Sequence, residues 1–248
     1  MPGVGNIGLV VQRSGLYANG VVFDGTNDYL TKSGAWIGIS DSKLGSLSFW
    51  FRRTATGVTE NIFLLDDGNG NSVVRFDPTD KLTVIFGRAG TTSTALSVTT
   101  NTTFNDTNWH HVAVDWSMNN PANRSYYVDG VVEAANWSQY LNQTLRYDVA
   151  DYSIGANPSG VSKFTGELAE LYFNAGVRVG FDNAVTRAQF IDNRAKPVFL
   201  GSDGSRPTGT APILFLTGKT DSWHTNKGTG GGFTENGALT TSATSPSD

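Results

Sequence analysis

The chain has 248 residues, of which 16% are charged, and its formal net charge is −4. It contains no cysteine, which excludes disulfides and thiolate metal sites, and no Lys/Arg run that could follow a phosphate backbone, so nucleic acid is not an expected partner. The low charge is balanced by Gly, Ser, Thr and Asn, a composition typical of many turns between short strands.

The N-terminal segment, residues 1–15, lacks a basic stretch followed by an apolar one, so it does not resemble a secretory signal. No segment of the sequence reaches the ~20 consecutive apolar residues that a membrane-spanning helix requires. We therefore expect a protein that is neither exported through a secretory signal nor inserted into a membrane.

Alternation of apolar and polar residues predicts the first strands. Side chains alternate between the two faces of a strand, so in residues 46–53 the residues expected to face the core are Leu47, Phe49 and Phe51. Residues 73–76 and 82–87 read as two further strands. The Asp-Pro-Thr-Asp sequence between them, residues 77–80, predicts a turn, because Pro fixes φ and Asp bonds to the backbone.

Residues 94–99 are a Thr-rich strand candidate, and residues 109–116 alternate in the same way as the first strand. His110 and His111 are adjacent in this second segment and should face opposite sides, which argues against a shared catalytic or metal site. The Asp-Gly pair at residues 129–130 is the strongest two-residue hairpin signal in the chain.

One short helix is predicted in residues 182–193. This segment brings Ala184, Ala188 and Ile191 to helical spacing, and Asp182 is the expected N-cap.

The rest of the C-terminal sequence is polar and rich in Gly, Thr and Ser. Residues 213–216 have the composition of a strand, and Phe233 and Leu239 are isolated apolar residues in an otherwise polar stretch. Such a stretch would be flexible by itself. The two apolar residues predict that residues 201–248 pack on the rest of the protein or on a neighbouring subunit.

Several of these segments form a recognisable set. In chain order they are VVFDGTNDYL (21–30), SLSFWFRR (46–53), NWHHVAVDWS (108–117) and FTGELAELYF (164–173). They resemble the laminin-G-like branch of the concanavalin A-like lectin/glucanase superfamily. The resemblance implies an all-β fold: a concanavalin A-like jelly-roll β-sandwich of two antiparallel sheets, with one short helix and an extended Gly-rich C-terminal tail. Residues 1–200 should form the sandwich, N-terminal strand included, and residues 201–248 the extension.

Hydrolases of the laminarinase type share this sandwich and carry Glu-x-Asp-x-Glu in one strand, which places carboxylates on one face. The corresponding strand here contains Glu167 and Glu170, which are three residues apart and therefore expected on opposite faces. Retaining glycosidases need two carboxyl groups about 5 to 5.5 Å apart. We therefore predict no catalytic residues and no enzymatic activity, and a polysaccharide hydrolase is the third functional hypothesis.

Calcium is the one cofactor that the resemblance suggests. In laminin-G-like domains an Asp in the same strand frequently ligates a structural calcium ion, and Ala169 stands at that position here. A second candidate is the loop with Asp67, Asn69 and Asn71, which is similar to the start of an oxygen-rich calcium loop but has Ser72 in place of the required Gly. A tight turn is the alternative interpretation of that loop.

A carbohydrate site requires an aromatic ring that stacks on a sugar and polar groups that bind its hydroxyls. The best cluster of this kind in the sequence is Asn136, Trp137, Tyr140 and Asn142. Trp36 and Trp223 also lie in polar segments that could supply a ring. The alternative is that these rings cap the ends of the sandwich or bury against a neighbouring subunit.

The C-terminal sequence, residues 190–216 and 226–248, resembles the end of laminin-G-like proteins encoded by tailed bacteriophages and prophages. This resemblance predicts a non-enzymatic virion structural protein that decorates the head, neck or tail. Its expected partners are other virion proteins, further copies of itself in a homo-oligomer, and a host surface glycan. The second hypothesis is a carbohydrate-binding lectin that acts as a receptor-binding protein.

Overall fold

The alternating segments of the sequence form sixteen strands in the computed structural model, which describes residues 18–66 and 72–248. In chain order the strands are β1 (Val21–Asp24), β2 (Tyr29–Ser33), β3 (Leu44–Arg53), β4 (Glu60–Asp66), β5 (Ser72–Phe76), β6 (Lys81–Gly87), β7 (Thr94–Thr103), β8 (His110–Ser117), β9 (Arg124–Val128), β10 (Val131–Val132), β11 (Asn136–Tyr140), β12 (Asp151–Ile154), β13 (Thr165–Ala175), β14 (Leu214–Leu216), β15 (Thr234–Asn236) and β16 (Thr240–Thr241). The helices are α1 (Ala184–Arg187) and α2 (Thr220–Trp223). Neither helix, nor any other part of the described chain, offers a long apolar helix that would cross a membrane.

The strands form two eight-stranded antiparallel sheets. The first sheet has the order β10-β9-β8-β3-β13-β1-β16, with β14 also paired to β13. The second has the order β11-β7-β6-β5-β4-β12-β2-β15. The predicted all-β, two-sheet fold is confirmed.

Alternation within the strands builds the core between the sheets. Leu47, Phe49 and Phe51 of β3 are fully buried there, as predicted. Trp50, on the opposite face of the same strand, is also only 3% exposed, because it packs against Ala169 and Ile191. The outward face of the first sheet is therefore covered in its middle, which alternation alone did not predict.

The cover comes from the segment after β13. Buried Asp115 on β8 accepts hydrogen bonds from the backbone N–H groups of Gly180 and Phe181, at 2.6 and 2.8 Å. Phe181, Phe190 and other apolar residues then form a second small core on this face. Hydrogen bonds to a buried carboxylate thus fix the segment to the sheet.

The predicted helix is shorter than expected. It is the single turn α1, and its N-cap is Asn183, whose side chain accepts from the N–H groups of Val185 and Thr186. Asp182 does not cap the helix, because its carboxylate binds Arg178 at 2.6 Å instead. The second single-turn helix, α2, was not predicted.

The predicted turns are present. Asp129 and Gly130 have φ of 49° and 78°, as a two-residue hairpin between β9 and β10 requires. In the turn between β5 and β6, the carboxylate of Asp77 accepts from the N–H of Thr79 at 2.8 Å. Each turn joins two neighbouring antiparallel strands of one sheet.

The indoles of Trp36 and Trp223 are part of the core. Trp36 is 2% exposed and stacks on Tyr152 with ring centroids 3.9 Å apart, and Trp223 is fully buried against Phe23. Their interpretation as sugar-stacking rings is wrong, because the polar segments that carry them turn the rings inward. Both rings belong to the main core between the sheets.

The C-terminal residues add strands to both sheets. β14 pairs with β13 and β16 with β1 in the first sheet, and β15 pairs with β2 in the second. Phe233 and Leu239 are each 7% exposed and contact the main core. Main-chain hydrogen bonds thus connect this segment to the sandwich, while the division at residue 200 stays a prediction.

Candidate functional site

A depression with a volume of about 370 Å³ lies on the outward face of the first sheet. Small-ligand sites have volumes of about 300 to 1,000 Å³. Four segments meet there: β3, the loop before β8, the loop after α1 and the C-terminal residues. We call it the Trp109 pocket, and its main lining residues are Trp50, Arg52, Asn108, Trp109, Lys196 and Thr244.

The aromatic part of the pocket is held rigidly. Trp109 is half-buried and leans on the cluster around Trp50, and its indole N–H donates to the hydroxyl of Thr244 at 3.1 Å. Gly20 lies under the ring, where a Cβ would be only 2.8 Å from the indole. The absence of a side chain at Gly20 allows this close approach.

Arg52 lines the pocket and is held in place by an ion pair with Glu167. Arg52 makes two hydrogen bonds to the carboxylate of Glu167, at 2.7 and 2.8 Å, and its Nε donates to the carbonyl of Thr107 at 2.7 Å. The side chains of Arg52 and Glu167 are 25% and 10% exposed. Both bonds to Glu167 come from one nitrogen, Nη1, and together with the bond from Nε they fix the position of the guanidinium.

Glu170, the second acid of the same strand, has a different environment. It lies in a β-bulge with φ of 50°, and its carboxylate accepts a hydrogen bond from the hydroxyl of Thr217. Burial raises the pKa of Glu170 to about 7, against the smaller effect of this hydrogen bond. Because Arg52 and Thr217 flank opposite edges of β13, the two carboxylates are not gathered around one point.

The loop that carries Asn108 and Trp109 is tied down by His110. Its ring nitrogens lie 2.8 Å from Asp129 and 3.1 Å from Asp106, and Asp106 also accepts from the N–H of Asn108 at 2.9 Å. Burial lowers the pKa of His110, but the hydrogen bonds and charges of the two carboxylates outweigh it, so the pKa is raised. The imidazole between the two carboxylates therefore fixes the loop.

His111 faces the other way, as predicted from its position next to His110. Its Nε2 lies 2.8 Å from the hydroxyl of Ser48, and complete burial lowers its pKa to about 3. The ring is therefore neutral and structural.

The cluster predicted to bind carbohydrate lies on β11, an edge strand of the second sheet. The guanidinium of Arg124, on the first sheet, lies 4.7 Å from the ring centroids of both Trp137 and Tyr140. Both rings are half-buried against the core, and the hydroxyl of Tyr140 accepts from the N–H of Ser117 at 3.0 Å. These three side chains together close the gap between the two sheets.

The amides of that cluster are not gathered around the rings. Asn142 is exposed and accepts from the ammonium of Lys43 at 2.9 Å, and Asn136 is exposed opposite Thr99. The structure thus brings Trp137 and Tyr140 together, and carbohydrate binding by these four residues stays a prediction.

Sequence reasoning missed the residues of the Trp109 pocket. The segment before β8 is a polar Asn/Asp/Thr loop that ends in a tryptophan, which is the same signal that selected Trp137. Arg52 and Lys196 carried no signal of their own, because their contribution depends on contacts between distant parts of the chain.

No metal site is visible in the residues that the structure describes, since no group of three or more His, Cys, Asp or Glu is placed to hold an ion. Asp67, Asn69 and Asn71 lie outside the described residues, so calcium binding by that loop stays a prediction. Ala169 is buried beside Trp50 and offers no oxygen ligand from its side chain.

Comparison with known proteins agrees with the topology. A laminin G family model, described as the concanavalin A-like lectin/glucanases superfamily, matches residues 24–178. No curated protein has a sequence that matches this chain significantly.

Two solved structures are similar over nearly the whole chain. The native heptameric SAP-like pentraxin from Limulus polyphemus is 12% identical with a TM-score of 0.56, and the match covers 91% of this chain and 94% of the pentraxin. A putative carbohydrate binding protein from Bacteroides ovatus ATCC 8483 is 16% identical with a TM-score of 0.59, and the match covers 93% of this chain but 62% of that protein. At such identities the likeness is one of fold.

Proposed function

The chain belongs to the concanavalin A-like lectin/glucanases superfamily, and from this premise we propose that it is a non-catalytic protein that binds carbohydrate in the Trp109 pocket. One observation carries the proposal: a half-buried indole, an arginine fixed by an ion pair and an exposed amide meet in a depression of about 370 Å³. An apolar ring with a few convergent polar groups is the combination that sugar recognition uses.

The pocket is prepared for binding before a ligand arrives. Trp109 is held by Thr244, and Arg52 is held by Glu167 and by the carbonyl of Thr107. Side chains that are already ordered lose little conformational entropy when a ligand binds. A sugar ring on the indole would find donors on Arg52 and the amide of Asn108 in the same pocket.

The acids in and next to the pocket support binding rather than hydrolysis. Glu167 is occupied by both hydrogen bonds from Arg52, and the side chain of Asp248 accepts from the N–H of Ser245 at 2.8 Å. General acid and base groups need a carboxyl that is free to exchange a proton with the substrate. If the protein were a hydrolase, polysaccharides would release reducing ends and Glu167→Gln would abolish the release.

A glycan array followed by calorimetric titration tests the proposal. We expect saturable binding to at least one saccharide, loss of that binding in Trp109→Ala, and retention in Trp137→Ala. Circular dichroism of each variant controls for folding. Binding that is lost in Trp137→Ala and retained in Trp109→Ala would instead place the sugar at β11.

We propose in addition that the protein works in a virion, as a structural component of the head, neck or tail of a tailed bacteriophage. The resemblance of its C-terminal sequence supports this setting. A structural feature also favours contact with neighbouring subunits: Val131 and Val132 of β10 are 67% and 70% exposed, and no described strand pairs with the outer edge of β10. Exposed strand edges of this kind can pair across subunits.

The proposed partners are other virion proteins, copies of the same chain, and a host glycan at the Trp109 pocket. Mass spectrometry of purified particles tests whether the protein is a component of the virion. Stoichiometric presence of the chain in the particles is the expected result, and its absence from particles that are otherwise complete would refute the structural role.

A further inference from the structure

The imidazole of His110 connects the loop of the Trp109 pocket to a neighbouring hairpin. The loop comprises residues 104–109, between β7 and β8, and its last two residues, Asn108 and Trp109, line the pocket. Nε2 of His110 lies 3.1 Å from Oδ1 of Asp106, which belongs to the loop. Nδ1 lies 2.8 Å from Oδ2 of Asp129, in the turn between β9 and β10. We call this arrangement of one imidazole and two carboxylates the His110 bridge.

Both contacts of the His110 bridge can be hydrogen bonds only when the imidazole is protonated. A neutral imidazole has one donor and one acceptor nitrogen, whereas an ionised carboxylate has acceptors only. With a neutral ring, one nitrogen would therefore face a carboxylate oxygen without a proton between them. Burial lowers the pKa of His110, but the hydrogen bonds and charges of Asp129 and Asp106 outweigh burial and raise it. The bridge thus favours the imidazolium, which has two donors.

The contact with Asp106 is the one that a neutral ring would lose. Asp129 lies closer to the ring, and it is held in place because it also accepts from the backbone N–H of His111 at 2.7 Å. The single proton of a neutral ring therefore stays between Nδ1 and Asp129, and Nε2 then carries a lone pair toward Asp106.

The oxygen that would lose this contact also positions a residue of the pocket. Oδ1 of Asp106 accepts from the backbone N–H of Asn108 at 2.9 Å, in addition to its contact with the imidazole. If this oxygen turns away from an unprotonated Nε2, the turn that presents Asn108 and Trp109 is disturbed. Loss of one proton on His110 is thereby transmitted to the wall of the pocket.

The other neighbours of His110 bring no unpaired charge to the ring. Phe51 on β3 and Phe104 pack against the imidazole, with ring centroids 5.7 and 5.2 Å away. Arg52 and Arg53 donate to backbone carbonyls of the loop, and each of them is paired with a glutamate. Among the described residues, the charges that act on the ring are therefore those of the two carboxylates of the bridge.

We infer that His110 is a proton-dependent positioning residue of the Trp109 pocket. Its imidazolium holds Asn108 and Trp109 in the geometry that binds a ligand, and its neutral form releases Asp106 and loosens the loop. The inference rests on the proposed function, because it concerns the affinity of the same pocket. It adds a control of that affinity by pH.

Deprotonation should weaken binding without abolishing it, because two other contacts still hold the loop. Arg52 donates to the carbonyl of Thr107, and the indole of Trp109 donates to Thr244. The contribution of the imidazolium is fully present below pH 6.5 and is lost as the pH rises through the raised pKa of His110. We expect an affinity about fivefold lower when the ring is neutral, which corresponds to the net loss of one hydrogen bond.

Fluorine NMR of the protein labelled with fluorotryptophan tests the loop without a ligand. The chain has six tryptophans, and the signal of Trp109 is the one missing in Trp109→Phe. We expect this signal to shift between pH 6 and pH 9, with a midpoint above 6.5, and to stay constant in His110→Gln. His224→Gln is the matched control, because it removes a histidine that also lies beside a carboxylate, 3.2 Å from Glu235, outside the pocket. It should keep the shift.

Calorimetric titration with the tightest neutral saccharide of the glycan array measures the effect on binding, since a neutral saccharide does not itself titrate. The unmodified chain and His224→Gln should bind about fivefold more weakly at pH 9 than at pH 6, and His110→Gln should bind equally at both. Asp106→Asn should reduce the loss at pH 9, because its amide N–H can donate to Nε2 of the neutral ring. Thermal unfolding at both pH values checks that each variant is folded.

The inference fails if the Trp109 signal is constant with pH, or if it shifts equally in His110→Gln. An equal loss of affinity at pH 9 in His110→Gln and the unmodified chain would also overturn it, as would an undiminished loss in Asp106→Asn. If no array saccharide binds at pH 6, the function proposed above is refuted. A shift of the Trp109 signal that depends on His110 would still support the positioning role in that case.

Discussion

Glu170 is a buried acid that should make the folding stability of the protein depend on pH. Replacing it by glutamine should remove this part of the pH dependence. The side chain is 5% exposed, and burial raises its pKa from an ordinary 4.5 to about 7. Its neutral form is therefore favoured in the folded protein, and its charged form in the unfolded chain. The contribution of Glu170 to folding stability is fully present below pH 4.5 and is lost as the pH rises to about 7.

The size of the effect follows from the two pKa values. At about 1.36 kcal/mol per pKa unit, the charged form of Glu170 reduces the free energy of unfolding by about 3.4 kcal/mol at high pH. Because the unfolded chain is already partly ionised at pH 5, about 2.5 kcal/mol of this loss falls between pH 5 and pH 8. Glutamine cannot ionise, so Glu170→Gln should not show this loss of stability.

Urea unfolding at pH 5 and pH 8 measures the free energy of unfolding of the unmodified protein and of Glu170→Gln. Any effect of the glutamine amide on packing is the same at both pH values. The change in stability between pH 5 and pH 8 therefore reports only the ionisation of Glu170. Glu170→Gln should gain about 2.5 kcal/mol relative to the unmodified protein between pH 5 and pH 8. An equal pH dependence in the two proteins would show that Glu170 does not titrate in this range.

Three further predictions concern stability and are read from unfolding curves. His110→Gln should remove a stabilisation that is present below pH 6.5 and lost as the pH rises through the raised pKa of His110; unchanged pH dependence above 6.5 would contradict it. Asn183→Ala should cost about 1 kcal/mol through loss of the helix cap, and no measurable cost would contradict the cap. Gly45→Ala, whose Cβ would lie 2.5 Å from Trp116, should cost about 1 to 3 kcal/mol by overpacking, and equal stability would refute the close contact.

The sheets were predictable because the residue patterns that specify strands and turns lie within short segments of the sequence. Alternation in β3 and the Asp-Gly pair before β10 specify face and register within a few residues. Glu170 is the exception, since its bulge places a non-glycine residue at a φ of 50° and interrupts the alternation of β13. No turn residue at this position announces the bulge, so the expected alternation along β13 failed there.

The site was less predictable because it is assembled from distant segments. Trp109 could be recognised from its polar loop, but its neighbours Arg52, Lys196 and Thr244 come from three other parts of the chain. The covering of Trp50 likewise depends on Ile191, far along the sequence. Contacts between segments so widely separated have no local signature in one sequence.

The most direct test of the proposed function is a crystal structure of the protein with the tightest saccharide from the glycan array. A sugar ring stacked on the indole of Trp109, with hydroxyls bound to Arg52 and Asn108, is the expected result. A saccharide seated against Trp137 and Tyr140, with the Trp109 pocket free of it, would contradict the proposed site.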